Sequence, residues 1–194
     1  MSAYLRVRIP IWLDRICAFP VLLYRRLKYG YTYRKIYLGE GKFTIVDPPD
    51  YYRFNYFNWC PKENGKNIYA VRLIGAPKNR TKIVSLHRLI ANPPKHLLVD
   101  HRNNIGLDNR SVNLRLATHS QNQFNKGKTR KKSTSRYVGV FLEKHSRKWV
   151  ARIVHNKKRT WLGRFKSEID AAHAYDTAAQ KYHGEFAKLN FPEA

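Results

Sequence analysis

The chain has 194 residues, room for one ordinary domain or two small ones. Its 38 Lys and Arg against 13 Asp and Glu give a formal charge of +25, which points to a polyanionic partner. Hydrophobic residues at 43% and aromatics at 13% exclude a disordered basic tail, because such a chain can bury cores.

The charge is spread: residues 1–124 hold 21 basic and 7 acidic side chains, and residues 125–194 hold 17 and 6. Cys17 and Cys60 match no metal-ligand spacing, which argues against a disulfide scaffold or a Cys-rich zinc site. A reducing, intracellular setting is the simplest reading: cytoplasmic and nucleoid-associated in a prokaryotic or phage host, and not secreted.

Residues 1–37 form a basic N-terminal segment. Ile16 to Tyr24 is mostly apolar but far shorter than the ~20 residues a bilayer span requires. Trp12, Ile16, Phe19, Leu23 and Leu27 fall at helical spacing, and Pro20 interrupts the run. The expectation is a short, amphipathic helix broken by Pro20 and packed on the domain that follows. A membrane-surface role is the weaker alternative.

A first domain is expected over 38–125. Lys42–Val46 reads as a strand, and Asp47-Pro48-Pro49-Asp50 as a turn leading into a helix. The aromatics from Tyr51 to Trp59 should cover a sheet. Asn64–Asn67 is a loop, and Ile68–Leu73 and Lys82–Leu86 are strands. A short helix starts near Ser85 or His87 and stops by Pro93. Leu97-Leu98-Val99 leads into Asp100-His101, Asp108-Asn109-Arg110 has turn chemistry, and Asn113–Leu116 alternates like a strand. Thr118 with Gln121 three residues on has the form of a capping box opening a helix.

Residues 126–136, KGKTRKKSTSR, contain six Lys or Arg and no acid, and read as a linker or basic arm. Lys128, Arg130, Lys131, Lys132 and Arg136 suit phosphate contact, with a solvated tether as the bland alternative. A second domain is expected over 137–194: strands at Tyr137–Leu142, Lys148–His155 and Thr160–Phe165, then an Ala-rich helix capped by Ser167 and ended by Gly184. In the middle strand Trp149, Ala151 and Ile153 should meet the helix. Lys148, Val150, Arg152 and Val154 should face outward.

Phosphodiester cleavage assisted by a metal requires a divalent cation on oxygen ligands, a base that titrates near neutrality and a group that orients the base. Asp100, His101, Asn113 and Asn122 supply those residue types. The string VDHRNN…LDNRSVNLRLATHSQNQFN resembles the HNH endonuclease motif in its phage-type and intron-type homing form. The resemblance implies His101 as general base, Asn113 as its orienter, and Asp100 and Asn122 as ligands of one divalent cation, Mg2+ or Mn2+, in a ββα-metal module. No structural zinc is expected, since the Cys pairs of zinc-stapled members are missing. Neighbours on a strand point to opposite faces, so Asp100 and His101 should sit where their strand ends. His87, His96 and His119 are read as structural or solvent-facing.

The pieces Tyr137-Val138-Gly139-Val140, Trp161-Leu162-Gly163, Asp170 to Asp176 and Leu189-Asn190-Phe191 resemble the plant ethylene-response-factor, or APETALA, DNA-binding domain. That family lays its three-stranded sheet in the major groove and packs the helix behind. The residues themselves agree. Arg147, Lys148, Arg152, Arg159, Trp161 and Arg164 can read base edges or meet sugars, with Phe141 in the first strand beside them. Lys144, Lys157 and Lys158, at turns, suit phosphates.

The combined expectation is an α+β, two-module metal-dependent endonuclease of the mobile or homing type acting on double-stranded DNA. It needs no membrane span and no obligate protein partner. The rivals are a DNA-binding transcription regulator with an inactive HNH module and, less favoured, an RNA-binding protein.

Overall fold

A computed structural model describes residues 9–75, 82–125 and 134–192. Helices mix with small antiparallel sheets, an α+β architecture, in two compact units. One comprises Met1–Pro94 with Ile105–Arg115, and the other Lys95–Asn104 with Leu116–Ala194.

In the first unit, helix α1 (Ile11–Tyr29) is longer than its sequence suggests. Pro20 lies inside it rather than breaking it. None of its residues is fully buried: Asp14, Ala18, Leu22 and Arg25 form a half-buried stripe, whereas Trp12, Ile16, Phe19 and Leu27 of the apolar face expected to pack are largely exposed. Polar ties hold it instead. Arg34 donates to both Asp14 oxygens at 2.9 and 3.1 Å, and Arg25 donates to the Tyr33 carbonyl. The Arg34 bond holds the Asp14 carboxyl below the usual carboxylate range.

Strand β1 (Arg34–Gly39) pairs with β2 (Lys42–Val46), and α2 (Pro48–Phe54) follows, with prolines in its first turn where no N–H partner is needed. Strands β3 (Cys60–Asn64), β4 (Asn67–Ile74) and β5 (Lys82–Ser85) form an antiparallel sheet in that order. Neither β1 nor β3 was anticipated from the sequence. Helix α3 (Leu86–Ala91) ends where Asn92 turns left-handed. The core is Ile36, Leu38, Val46, Phe54, Trp59, Ala70 and Leu86, so the aromatic run of α2 and its exit does cover the sheets.

The 105–115 segment is sewn along β2. Ile45 N–H donates to the Leu107 carbonyl, and Asn109 N–H returns a bond to the Ile45 carbonyl at 2.8 Å. Asn109, fully buried, donates its amide to Thr44 Oγ1 at 2.7 Å. Gly106 is required there, since a Cβ would stand 2.5 Å from the Ile68 carbonyl oxygen.

Strand β6 (Leu98–His101) lies in the second unit, and β7 (Leu114–Ala117) runs from the end of the first unit into the second. Helix α4 (His119–Phe124) opens with both halves of the capping box: Gln121 N–H donates to Thr118 Oγ1, and Thr118 N–H to Gln121 Oε1.

Strands β8 (Val140–Glu143), β9 (Lys148–His155) and β10 (Lys158–Phe165) form an antiparallel sheet with β9 central. Strand β8 starts three residues later than the sequence suggested, because Tyr137, Val138 and Gly139 make the approach to the strand. There Gly139 (φ +75°) lies so close to Tyr175 that a Cβ would clash at 2.0 Å. Helix α5 (Glu168–His183) lies on the sheet through Ala171, Ala172, Ala178 and Ala179, whose small side chains allow close approach, and through the buried ring of Tyr175. Burial pushes the Tyr175 hydroxyl up to about 12.

Candidate active site and nucleic-acid interface

Strand β6 ends at His101, so Asp100 and His101 occupy the strand's exit, each 5% exposed. The chain turns at once: Asn104 N–H donates to the His101 carbonyl at 2.9 Å. Asn125, at the C-cap of α4, closes the same corner. Its side-chain N–H group lies 3.1 and 3.0 Å from the two Asp100 carboxylate oxygens and 2.9 Å from the His101 carbonyl oxygen. Asn104 in turn donates to Asn125 Oδ1 at 3.2 Å.

Asn122 lies on α4 one turn before Asn125, with its backbone N–H bonded to the Thr118 carbonyl. Asn113 closes a short 3-10 turn in the first unit, is buried, and donates its amide to the Asp108 carbonyl at 2.8 Å. Asp108 itself accepts two bonds from the Arg110 guanidinium, which covers the Tyr31 ring at 3.7 Å, and a third from the Arg110 backbone N–H. His87 lies edge-on to Tyr69 with ring centroids 5.6 Å apart.

Among the described residues, no three His, Cys, Asp or Glu side chains converge as a metal cluster. Asp100 and Asn122 are oxygen donors, a carboxylate and an amide carbonyl. Hard cations such as Mg2+ and Mn2+ favour that chemistry.

The β8–β10 sheet has a helix-covered side and an open side. Cross-strand register puts Phe141, Val150 and Arg164 in one row, Arg152 opposite Trp161, and Arg159 opposite Val154. Lys148, Phe141, Arg152, Arg159, Trp161 and Arg164 therefore share the open face, and Trp161 is 58% exposed. Val150, expected outward with them, is only 2% exposed, because its two direct neighbours are the large Phe141 and Arg164.

Arg152 covers the Phe141 ring at 3.9 Å. Arg164 is held by Glu143 through bonds of 2.8 and 3.0 Å, which keep the Glu143 carboxyl below its ordinary range. Lys144 and Arg147 lie in the β8–β9 turn, and Lys157 in the two-residue β9–β10 turn, where Asn156 and Lys157 both take positive φ. Lys158 pairs with His155, which register places on the side opposite the open face, though its side chain is exposed. Arg136 is exposed beside the Tyr137 ring. Lys128, Arg130, Lys131 and Lys132 lie outside the described residues.

Residues 86–124 match the HNH endonuclease family, and residues 135–185 match the AP2 domain. An uncharacterized HNH endonuclease of Acanthamoeba polyphaga mimivirus is 32% identical over 159 residues, which cover 78% of this chain and 76% of that protein. The chain belongs to the HNH endonuclease family.

Plant proteins match only the C-terminal part of this HNH family member. An ethylene-responsive transcription factor of Arabidopsis thaliana is 47% identical over 60 residues, covering 30% of this chain and 33% of the factor. An AP2/ERF and B3 domain-containing protein of rice (Oryza sativa subsp. japonica) is 48% identical over 61 residues, covering 31% of this chain. The chain spans only 16% of that rice protein. An HNH domain and an AP2 DNA-binding domain thus occur in one chain. No helix among the described residues is long and apolar enough to cross a membrane.

Asn125 was not singled out from the sequence. It falls one residue beyond the HNH match, and its only signal was a position three after Asn122 on the same face of a helix.

Proposed function

We propose that the protein is a metal-dependent endonuclease that cleaves phosphodiester bonds in double-stranded DNA, of the homing or mobile-element type, with sequence preference supplied by the AP2 sheet. The observation that carries this reading is the buried Asp100–His101 pair at the end of β6, held against the end of α4 by Asn125.

His101 accepts the proton of the attacking water, a task that suits an imidazole near neutral pH. Asn113 orients that ring. Asp100 and Asn122 hold one divalent cation, Mg2+ or Mn2+, in a ββα-metal module. When bound, the cation supplies positive charge for the scissile phosphate and the leaving oxygen.

On the other module, Arg152 and Trp161 read base edges in the major groove. Arg147, Lys148, Arg159 and Arg164 extend that face, and Lys144 and Lys157 contact phosphates, joined by Lys128, Arg130, Lys131, Lys132 and Arg136 of the basic arm; Lys158, on the other side of the sheet, is left out of that contact. The family membership and the formal charge of +25 support this reading. The test is conversion of supercoiled plasmid to nicked or linear form in Mg2+, and again in EDTA. Metal-dependent conversion is expected. Conversion that persists in EDTA, or none in Mg2+ or Mn2+, contradicts the proposal.

A further inference from the structure

We infer that Asn125 is a positioning residue for the cation-binding carboxylate of Asp100, an inference that rests on the reading above. Asn125 is 3% exposed, so its polar atoms must be satisfied by protein groups. Each of them is used on the active corner. Its N–H group reaches both Asp100 oxygens and the His101 carbonyl, and its Oδ1 accepts from Asn104.

An amide donor reaching both oxygens fixes the plane of a carboxylate and its rotation about Cβ–Cγ. It does so without a charge. A Lys or Arg in that place would hold Asp100 equally well but would offset the negative charge that attracts a cation. The neutral amide orients the ligand and leaves its charge in force. The same side chain ties down the backbone of His101. It therefore fixes the spacing between cation ligand and base, which are adjacent residues.

Asn125 also stands three residues after Asn122, so the helical turn that presents the second ligand ends on the group that orients the first. Partners that orient a metal ligand from behind typically contribute about 10–100-fold in metal affinity or activity when mutated.

The experiment uses the full chain and two variants, Asn125→Ala and Asn125→Gln. Gln keeps an amide at the helix end but displaces it by one methylene. Mn2+ binding is followed by the loss of the free-ion EPR signal, nicking is titrated with Mg2+, and thermal midpoints are recorded in EDTA. Both variants should weaken Mn2+ binding and raise half-saturating Mg2+, by about tenfold or more for Ala and less for Gln. A lowered thermal midpoint with unchanged Mn2+ affinity and unchanged Mg2+ dependence in either folded variant overturns the inference and leaves Asn125 a structural clamp. A wild-type protein that neither binds Mn2+ nor nicks in Mg2+ overturns the functional reading, and the inference with it.

Discussion

The imidazole of His183 stacks on the ring of Phe124, with centroids 3.8 Å apart and planes within 5° of parallel. The contact joins the last residue of α4, next to Asn125, to the last residue of α5. His183 is nearly buried, and its Nε2 pairs with the Val154 carbonyl at 2.9 Å. Burial pulls its pKa below the ordinary 6.5; the Val154 bond resists, and the neighbouring His155 adds to the depression. An exposed ion pair between Arg102 and Glu185 lies in the same unit.

A histidine whose folded pKa is depressed binds its proton more readily when unfolded. Its contribution to stability is whole above the ordinary value and is lost as pH falls through the folded value. The melting midpoint should therefore hold above about pH 6.5 and drop as the pH is lowered below it. His183→Phe keeps an aromatic ring against Phe124 but takes no proton, and should show a smaller drop. Equal drops in the two proteins would mean that His183 does not carry this dependence.

Asp176 holds the C-terminal strap of the second unit. It accepts from Asn190 N–H at 2.9 Å, from the Asn190 side chain at 3.1 Å and from Phe191 N–H at 2.8 Å. Asn190 then receives Val138 N–H at 2.7 Å and donates to the Val138 carbonyl, so one carboxylate fastens both ends of the module. Asp176→Ala strands three donors and should cost on the order of 3–5 kcal/mol in urea unfolding followed by tryptophan fluorescence. Asp176→Asn, which keeps one acceptor oxygen, should cost less. Losses within about 0.5 kcal/mol for both, as at an ordinary surface site, would contradict the strap.

Much of this was legible where local chemistry decides structure. The Thr118–Gln121 box, the Ser167 cap and the Asn156–Lys157 turn each formed where their residue types demand. Strand β3 was hidden because Pro61, Lys62, Glu63 and Asn64 have low strand propensity; it forms at the sheet edge, where a proline is tolerated. Strand β1 has the right alternation, Ile36 and Leu38 inward, but lies within a stretch crowded with Tyr and Arg. The burial of Val150 depends on the size of its cross-strand neighbours, which a single strand's alternation does not record. Asn125 depends on a contact to Asp100 across 25 residues, which no local pattern reveals.

Arg152 and Lys157 should separate reading from holding. Arg152→Ala should lose about 1–3 kcal/mol on the preferred site and relax preference there, as a base-edge contact does. Lys157 sits at φ +61°, so Lys157→Asn removes the charge with a residue that tolerates that conformation. It should weaken all sequences alike and flatten the salt dependence by about one counterion. Selection from a randomised site library distinguishes the two outcomes. Equal losses on every sequence for Arg152→Ala would place Arg152 on the backbone and refute the reading face.

The most direct test of the account is His101→Ala, measured as single-turnover cleavage in saturating Mg2+ beside DNA affinity by filter binding. His101 moves a proton and is one group among the many that meet phosphate. The variant should therefore lose about 10²–10⁴-fold in cleavage rate while its DNA affinity stays near the wild-type value. Cleavage by His101→Ala at the wild-type rate would contradict the assignment of the base and, with it, the active site at the end of β6.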